Sequence, residues 1–153
     1  MFFDFCEHLS YYLDNELIKF CDDTVNYPVG MIKGNNNDIP DILIHFMHYD
    51  NFECAKNVWN KRKTRVNLEK IFIMWTFAYE SYLEDLYIRF KKLPYKNKIA
   101  FTNNKAFSKK INSAFYINGY DDCDGLGLIS EYSNLIGKRY YDQFDYIKWF
   151  NEG

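Results

Sequence analysis

The sequence contains no apolar run of the roughly 18 residues that a membrane-spanning helix needs. Its opening, MFFDFCEHL, lacks the basic flank and small-residue cleavage site of a signal peptide. A cytoplasmic protein with no membrane span is the expectation. The four cysteines, Cys6, Cys21, Cys54 and Cys123, are far apart and show neither CxxC nor Cys/His spacing, which excludes the usual zinc and thiol-redox motifs. They are expected to be reduced and partly buried. There is no GxGxxG, no P-loop and no GxSxG, so dinucleotide binding, NTP hydrolysis and nucleophile-elbow hydrolysis all lack their marks, and no cofactor or metal is assigned. A formal charge of -2 gives no global attraction to phosphate backbones, so nucleic acid is not an expected partner. Repeats, low-complexity tracts and linkers are absent.

What is present is enough apolar residue, 48% of 153 positions, for a single domain with a real core. Aromatics reach 20%, with 14 Tyr and 14 Phe. Sugar sites use aromatic faces, but together with the many Asn, Lys and Ile this richness also follows from an AT-rich coding sequence.

Phe2, Phe5, Cys6, Leu9, Leu13, Leu17 and Phe20 recur at three- and four-residue intervals, which predicts one amphipathic helix over residues 2–21. YPVGMIKGNNND is rich in breakers and holds a short strand around Val29 to Ile32. DILIHFMHY then reads as a central strand buried on both faces. Asp50 and Glu53 have capping-box spacing at the start of a helix running to about Arg65. IFIMWT is a second buried strand, and Ser81 with Glu84 opens a helix that must end by Pro94. KIAFTN and SAFYI give further strands, and Tyr141, Phe144, Ile147 and Phe150 a last helix. Alternating strands and helices predict a three-layer α/β fold: a mostly parallel sheet of four to five strands with helices on both faces.

In such sheets ligands bind beyond the carboxyl ends of the strands. The three clearest strands bring His48, Tyr49, Asp50, Thr76, Tyr79, Glu80, Thr102, Asn103 and Asn104 to that edge. Period-two alternation sets His45 and His48 on opposite faces, so the pair does not ligate one metal. His45 is expected as a hydrogen-bonded core histidine and His48 as the residue at the strand exit. In KRKTR, Arg62 falls on the edge of the face formed by Phe52, Ala55, Trp59 and Val66, where a cation needs a carboxylate or a ligand phosphate. Lys61 and Arg65 point away from that face. Asp122 and Asp124 have the DxD spacing of metal-holding glycosyltransferase loops, a spacing that ordinary polar loops also supply.

The blocks YPVG, IHFMHY, AKNVWNKRKTRVN, LPYKNKIAFTN and IGKRYYDQFDYIKWFN occur in that order from about Phe5 to Asn151. They resemble a bacterial domain family of unknown function whose members are often labelled exopolysaccharide or capsular polysaccharide biosynthesis proteins. The resemblance implies a cytoplasmic α/β protein encoded among surface-polysaccharide genes, with no established reaction. The pattern residues present are His45, Phe46, His48, Tyr49, Trp59, Arg62, Arg65, Asn67, Lys98, Thr102 and Asn103. It also implies an N-terminal segment ahead of the first helix, with a strand and an Asn-Cys-Trp-Gly-like stretch. Nothing in MFFDFCEHL corresponds to it, so this chain is expected to be a short member.

Two functions follow. The first is a transferase-like protein that binds a nucleotide-sugar or sugar phosphate. His48 is its acid/base, Arg62 or Arg65 its phosphate contact and Tyr49 or Trp59 its stacking surface, with Asn67, Thr76, Thr102 and Asn103 as further substrate contacts. The second is a non-catalytic module that binds protein partners of polysaccharide assembly through an exposed aromatic surface such as Tyr132 to Tyr146.

Overall fold

A computed structural model describes residues 2–35, 38–77, 83–133 and 137–153. The chain divides into two compact units, Met1–Glu69 and Lys70–Gly153.

In the first unit, helices α1 (Phe2–Glu7) and α2 (Leu9–Asp14) precede strands β1 (Ile18–Phe20), β2 (Val29–Ile32) and β3 (Ile42–His45), and helix α3 (Phe52–Lys63) follows. The single helix expected over 2–21 is interrupted at His8 (φ -122°, ψ 32°) and ends at Asn15. The Asn15 N–H makes the last helical bond, to the Tyr11 carbonyl, its side-chain amide donates to the same oxygen, and its extended backbone (φ -87°, ψ 162°) ends the helix there. Residues 18–20 then pair with β2 as a strand.

The strands order β1-β2-β3 and are wholly antiparallel. This corrects the expectation of one mostly parallel sheet. Parallel neighbours require a long crossover; residues 21–28 and the described part of 33–41 form no helix. β3 is likewise an edge strand of four residues, not a long central one, and His45 is exposed at its end instead of buried within it.

The core of this unit gathers Tyr12, Leu17, Ile32, Ile42, Phe46, Phe52 and Ala55. Tyr12 is fully buried and satisfies its hydroxyl by donating to the Pro40 carbonyl at 2.7 Å. The cap of α3 is Asn51, one residue after the expected Asp50, and its side chain accepts from Cys54 N–H at 2.9 Å. Phe52 and Ala55 face inward, while Lys61, Arg62 and Lys63 fill the last turn, where the helix dipole favours cations.

In the second unit, β4 (Phe72–Thr76), α4 (Leu83–Lys92), β5 (Asn97–Thr102), α5 (Lys105–Lys110) and β6 (Ala114–Tyr116) form a parallel sheet of order β4-β5-β6 with a helix in each connection. A 3₁₀ turn (Tyr140–Gln143) and α6 (Tyr146–Glu152) close the chain. Mixed α/β therefore holds, and the parallel part comprises three strands. The central strand β5 buries Ile99, Ala100, Phe101 and Thr102. Outer strand β4 is not buried on both faces as expected, since Met74 is exposed.

Ser81 of the expected capping box lies outside the described residues, as do Tyr79 and Glu80. α4 does end before Pro94. Lys98 Nζ donates to the Lys91 and Leu93 carbonyls at 2.7 and 2.5 Å, tying β5 to the end of that helix. The single last helix is split because Asp145 caps a new one, accepting from Lys148 N–H at 2.9 Å.

Gly30 on β2 is required by packing. A Cβ there would lie 2.6 Å from Leu17 Cδ1 and 3.2 Å from Phe46 Cε2. Gly30→Ala is expected to cost about 1–3 kcal/mol by overpacking, and Leu17→Ala about 2–5 kcal/mol by leaving a cavity. Urea denaturation of the double variant should give less than the sum; strict additivity would show that the two sites do not meet.

Candidate functional site

At the carboxyl edge of the parallel sheet, the residue after β5 organises everything beyond it. Asn103 is buried, and its amide donates both hydrogens, to the Tyr120 carbonyl at 3.0 Å and the Cys123 carbonyl at 2.7 Å. Thr102 is fully buried; its hydroxyl accepts from Asn104 N–H at 3.0 Å, and Asn104 caps α5 by accepting from Phe107 N–H at 2.9 Å. Two further backbone bonds, Leu126 N–H to the Phe77 carbonyl and Phe77 N–H to the Phe101 carbonyl, lace the loop after β6 to the ends of β4 and β5. Thr76, Thr102 and Asn103 are thus brought to one edge, but Thr102 and Asn103 spend these groups on the protein's own backbone.

On the outer side of this loop the Tyr116 hydroxyl donates to the Asp121 carboxylate, and Lys105 Nζ lies 5.6 Å from the centre of the Tyr116 ring. The hydroxyl holds the Asp121 carboxyl below the usual carboxylate range, helped by backbone N–H groups and Lys105, and the same bond pushes the Tyr116 phenol up. Asp122 and Asp124 are exposed, and among the described residues no three His, Cys, Asp or Glu side chains are grouped to hold a metal.

The loop carries a cleft of about 530 Å³ lined by Asn118, Gly119, Ser133, Lys138, Arg139, Tyr140, Asp142 and Gln143. Asn118 and Gln143 close one side with two 3.0 Å bonds, Asn118 N–H to Gln143 Oε1 and Gln143 Nε2 to the Asn118 carbonyl. Gly119 has φ 107°, and a Cβ there would sit 2.6 Å from Tyr140 Cε1, so only glycine fits. Tyr140 in turn packs at a tilt of 48° against Tyr120, whose backbone Asn103 holds; the ring centres are 4.5 Å apart.

Ser133 donates its N–H and hydroxyl to the Lys138 carbonyl at 2.8 and 2.9 Å, and Asp142 accepts from Arg139 N–H at 2.8 Å. The Arg139 guanidinium lies between two phenol rings, 5.2 Å from the centre of Tyr132 and 5.6 Å from that of Tyr141, and donates to the Tyr141 hydroxyl at 2.6 Å. These phenols push its pKa further up. Among the described residues, no carboxylate forms an ion pair with Lys138 or Arg139.

The remaining expected site residues belong to the first unit. His48 is exposed on a turn beyond β3, and Tyr49 packs edge-on against Phe46, with ring centres 5.8 Å apart. Arg62, Arg65 and Asn67 are exposed, and the Asn67 side chain accepts from Glu69 N–H at 3.0 Å. The half-buried cations of α3 are not Arg62 but Lys56, paired with Glu16 at 2.7 Å, and Lys63, which reaches the Asn15 carbonyl at 3.3 Å. Val66 lies beyond the end of the helix and is exposed. Trp59 is half-buried in the wall of an apolar cleft of about 380 Å³ with Phe2, Phe5 and Ile42 to His45, and its indole N–H has no hydrogen-bond partner. His48, Arg62, Arg65 and Asn67 line neither this cleft nor the one of about 300 Å³ formed by Leu13, Asp14, Lys63, Thr64, Val66 and Leu68.

Sequence reading missed the cleft residues because they come from two irregular stretches, 118–119 and 133–143, in which no periodicity marks a face. The dipeptide Lys138-Arg139 next to Gly137 was the available signal; Gly137 has φ 65°.

Fold and cleft together define a mixed α/β protein with a polar, cation-bearing cleft on its parallel half. The chain belongs to the family described as domain of unknown function DUF1919, which matches residues 1–151. An uncharacterized protein of Haemophilus influenzae (strain ATCC 51907 / DSM 11121 / KW20 / Rd) is 38% identical over 150 residues, covering 98% of this chain and 68% of that protein. No solved structure matches the chain.

Replacing Asn103 by Ala removes the side-chain donor to the Cys123 carbonyl and one of two donors to the Tyr120 carbonyl, which keeps Cys123 N–H, and is expected to cost about 1–3 kcal/mol in urea denaturation. Because the folded pKa of Asp121 is depressed, its contribution to stability is present above the unfolded carboxylate value and is lost as pH falls through the folded one. Tyr116→Phe should therefore move the Asp121 titration, followed by carboxyl NMR, up toward the ordinary Asp value; an unmoved titration would show that the hydroxyl does not hold it.

Proposed function

We propose that this protein binds a nucleotide-sugar or sugar phosphate in the cleft of its second unit and serves surface-polysaccharide biosynthesis as a transferase-like protein. The setting rests on the family resemblance, and the site on one observation. Two adjacent cationic residues, Lys138 and Arg139, line a cleft of about 530 Å³ with no carboxylate in ion-pair contact with them among the described residues. A cation pair whose side chains form no ion pair with a carboxylate is complementary to a phosphoryl group, and the guanidinium fork suits its oxygens. Its lateral position is fixed by the two phenol rings, so little side-chain entropy remains to be lost on binding. The Ser133 hydroxyl and the Asn118 side chain supply groups for sugar hydroxyls, and the Tyr140 ring an apolar face.

The carboxylate of the cleft, Asp142, is occupied in accepting from Arg139 N–H, so no acid–base step is placed on it. His48, exposed on the first unit, takes no part in this cleft. The alternative of an exposed aromatic docking surface is less well supported, since Tyr140, Phe144 and Tyr146 pack against the core of Ile99, Phe101, Ile117, Tyr120 and Leu126. Of that segment Tyr132 is the ring left largely exposed, at 62%, and it lies against Arg139.

The test is calorimetric titration with UDP-glucose, UDP and inorganic phosphate, followed by a wider nucleotide-sugar panel. Arg139→Ala and Lys138→Ala should each weaken the phosphorylated ligands about tenfold or more, roughly 1.4 kcal/mol, with unchanged circular dichroism. His48→Ala should leave affinity as it was. Binding that survives loss of both cations, or no binding across the panel, would refute the proposal.

A further inference from the structure

The first unit carries a strand edge that its own sheet leaves open. The register of β2 and β3 pairs Val29 with His45, Gly30 with Ile44, Met31 with Leu43 and Ile32 with Ile42, and Phe46 N–H donates to the Pro28 carbonyl at 2.9 Å. In an antiparallel ladder, hydrogen-bonded and non-bonded pairs alternate. Counting back from Phe46, the backbone groups of Ile44 and Ile42 point into β2, and those of Leu43 and His45 point outward. Among the described residues no strand pairs with this side of β3.

The two edges of the sheet are not equivalent. On β1 the outward residue is Lys19, exposed and charged, the ordinary means by which an edge is kept from pairing. β3 reads Ile-Leu-Ile-His and holds no Lys, Arg, Asp or Glu. Alongside it lies the apolar cleft of about 380 Å³, walled by Phe2, Phe5 and Trp59.

We propose that this edge is the contact between two copies of the chain, with β3 pairing antiparallel to β3 of a second copy about a two-fold axis at Ile44. The register is self-complementary. Leu43 of each chain meets His45 of the other in a hydrogen-bonded pair, so two such pairs give four N–H to carbonyl bonds, and the two three-stranded sheets become one of six. His45 faces a leucine and not its own copy, so the pairing sets no like charges opposite each other at any pH. The two Ile44 side chains form the close, non-bonded pair on the core face and cover the cleft beside Phe5 and Trp59.

The test is sedimentation velocity of the whole chain across a concentration series, with amide hydrogen exchange at Leu43 and His45. The expected result is a dimer in which those two amides are protected and lose protection on dilution. His45→Pro removes one outward N–H per chain and none that bonds to β2, and the preceding residue is already extended. It should therefore shift the dimer to monomer at least tenfold in concentration while retaining the wild-type circular dichroism. A chain that stays monomeric, or a dimer in which Leu43 and His45 amides exchange freely, would overturn the proposal whether or not the proline variant folds.

Discussion

The second unit depends on the buried amide of Asn103. A backbone carbonyl that loses its donor on folding costs about 1–3 kcal/mol, and this one side chain supplies a donor to the Cys123 carbonyl and a second, beside Cys123 N–H, to that of Tyr120. With Tyr120 fixed, its ring supports Tyr140, and Tyr140 leaves room at residue 119 for glycine alone. Those contacts set the floor of the cleft against which Lys138 and Arg139 stand. An Asn at the end of a strand in a parallel sheet is a natural position for a ligand contact. Here the same position holds the loop behind a cleft whose charged residues come from elsewhere in the chain.

The two units solve the pairing of three strands differently, and the difference has consequences. Helical crossovers in the second unit align the strands in parallel and send their carboxyl ends to one edge, where loops can elaborate. The first unit, joined by connections without helices, is antiparallel, and its last strand ends in a turn that leaves His48 in solvent.

Much of this fold was legible. β2, β4, β5 and β6 stand where apolar runs bounded by breakers placed them, and α4 stops before Pro94 as the missing proline N–H requires. The errors have definite causes. Helical spacing continued through Leu17 and Phe20, but Asn15 closes α2 with its own side chain, and local hydrogen bonding overrode periodicity. DILIHFMHY was apolar enough for a central strand; that half of it would be a turn, and the rest an edge, depends on which strands are neighbours, which no local pattern encodes. Arg62 and Arg139 are both arginines with aromatic residues close by in sequence, Trp59 for the first and Tyr140 and Tyr141 for the second. What distinguishes them is that the second lies in contact with two phenol rings beside a cavity, a fact of tertiary structure.

The claim at the centre of this account is that the cleft of the second unit, and not the exposed turn after β3, is where ligand meets protein. Amide chemical-shift mapping during titration with UDP-glucose tests it most directly. The largest changes are expected at Asn118, Gly119 and Lys138 to Gln143, with residues 45–49 and 59–67 unmoved. Changes concentrated at His48, Tyr49 and Trp59, with the cleft silent, would contradict it.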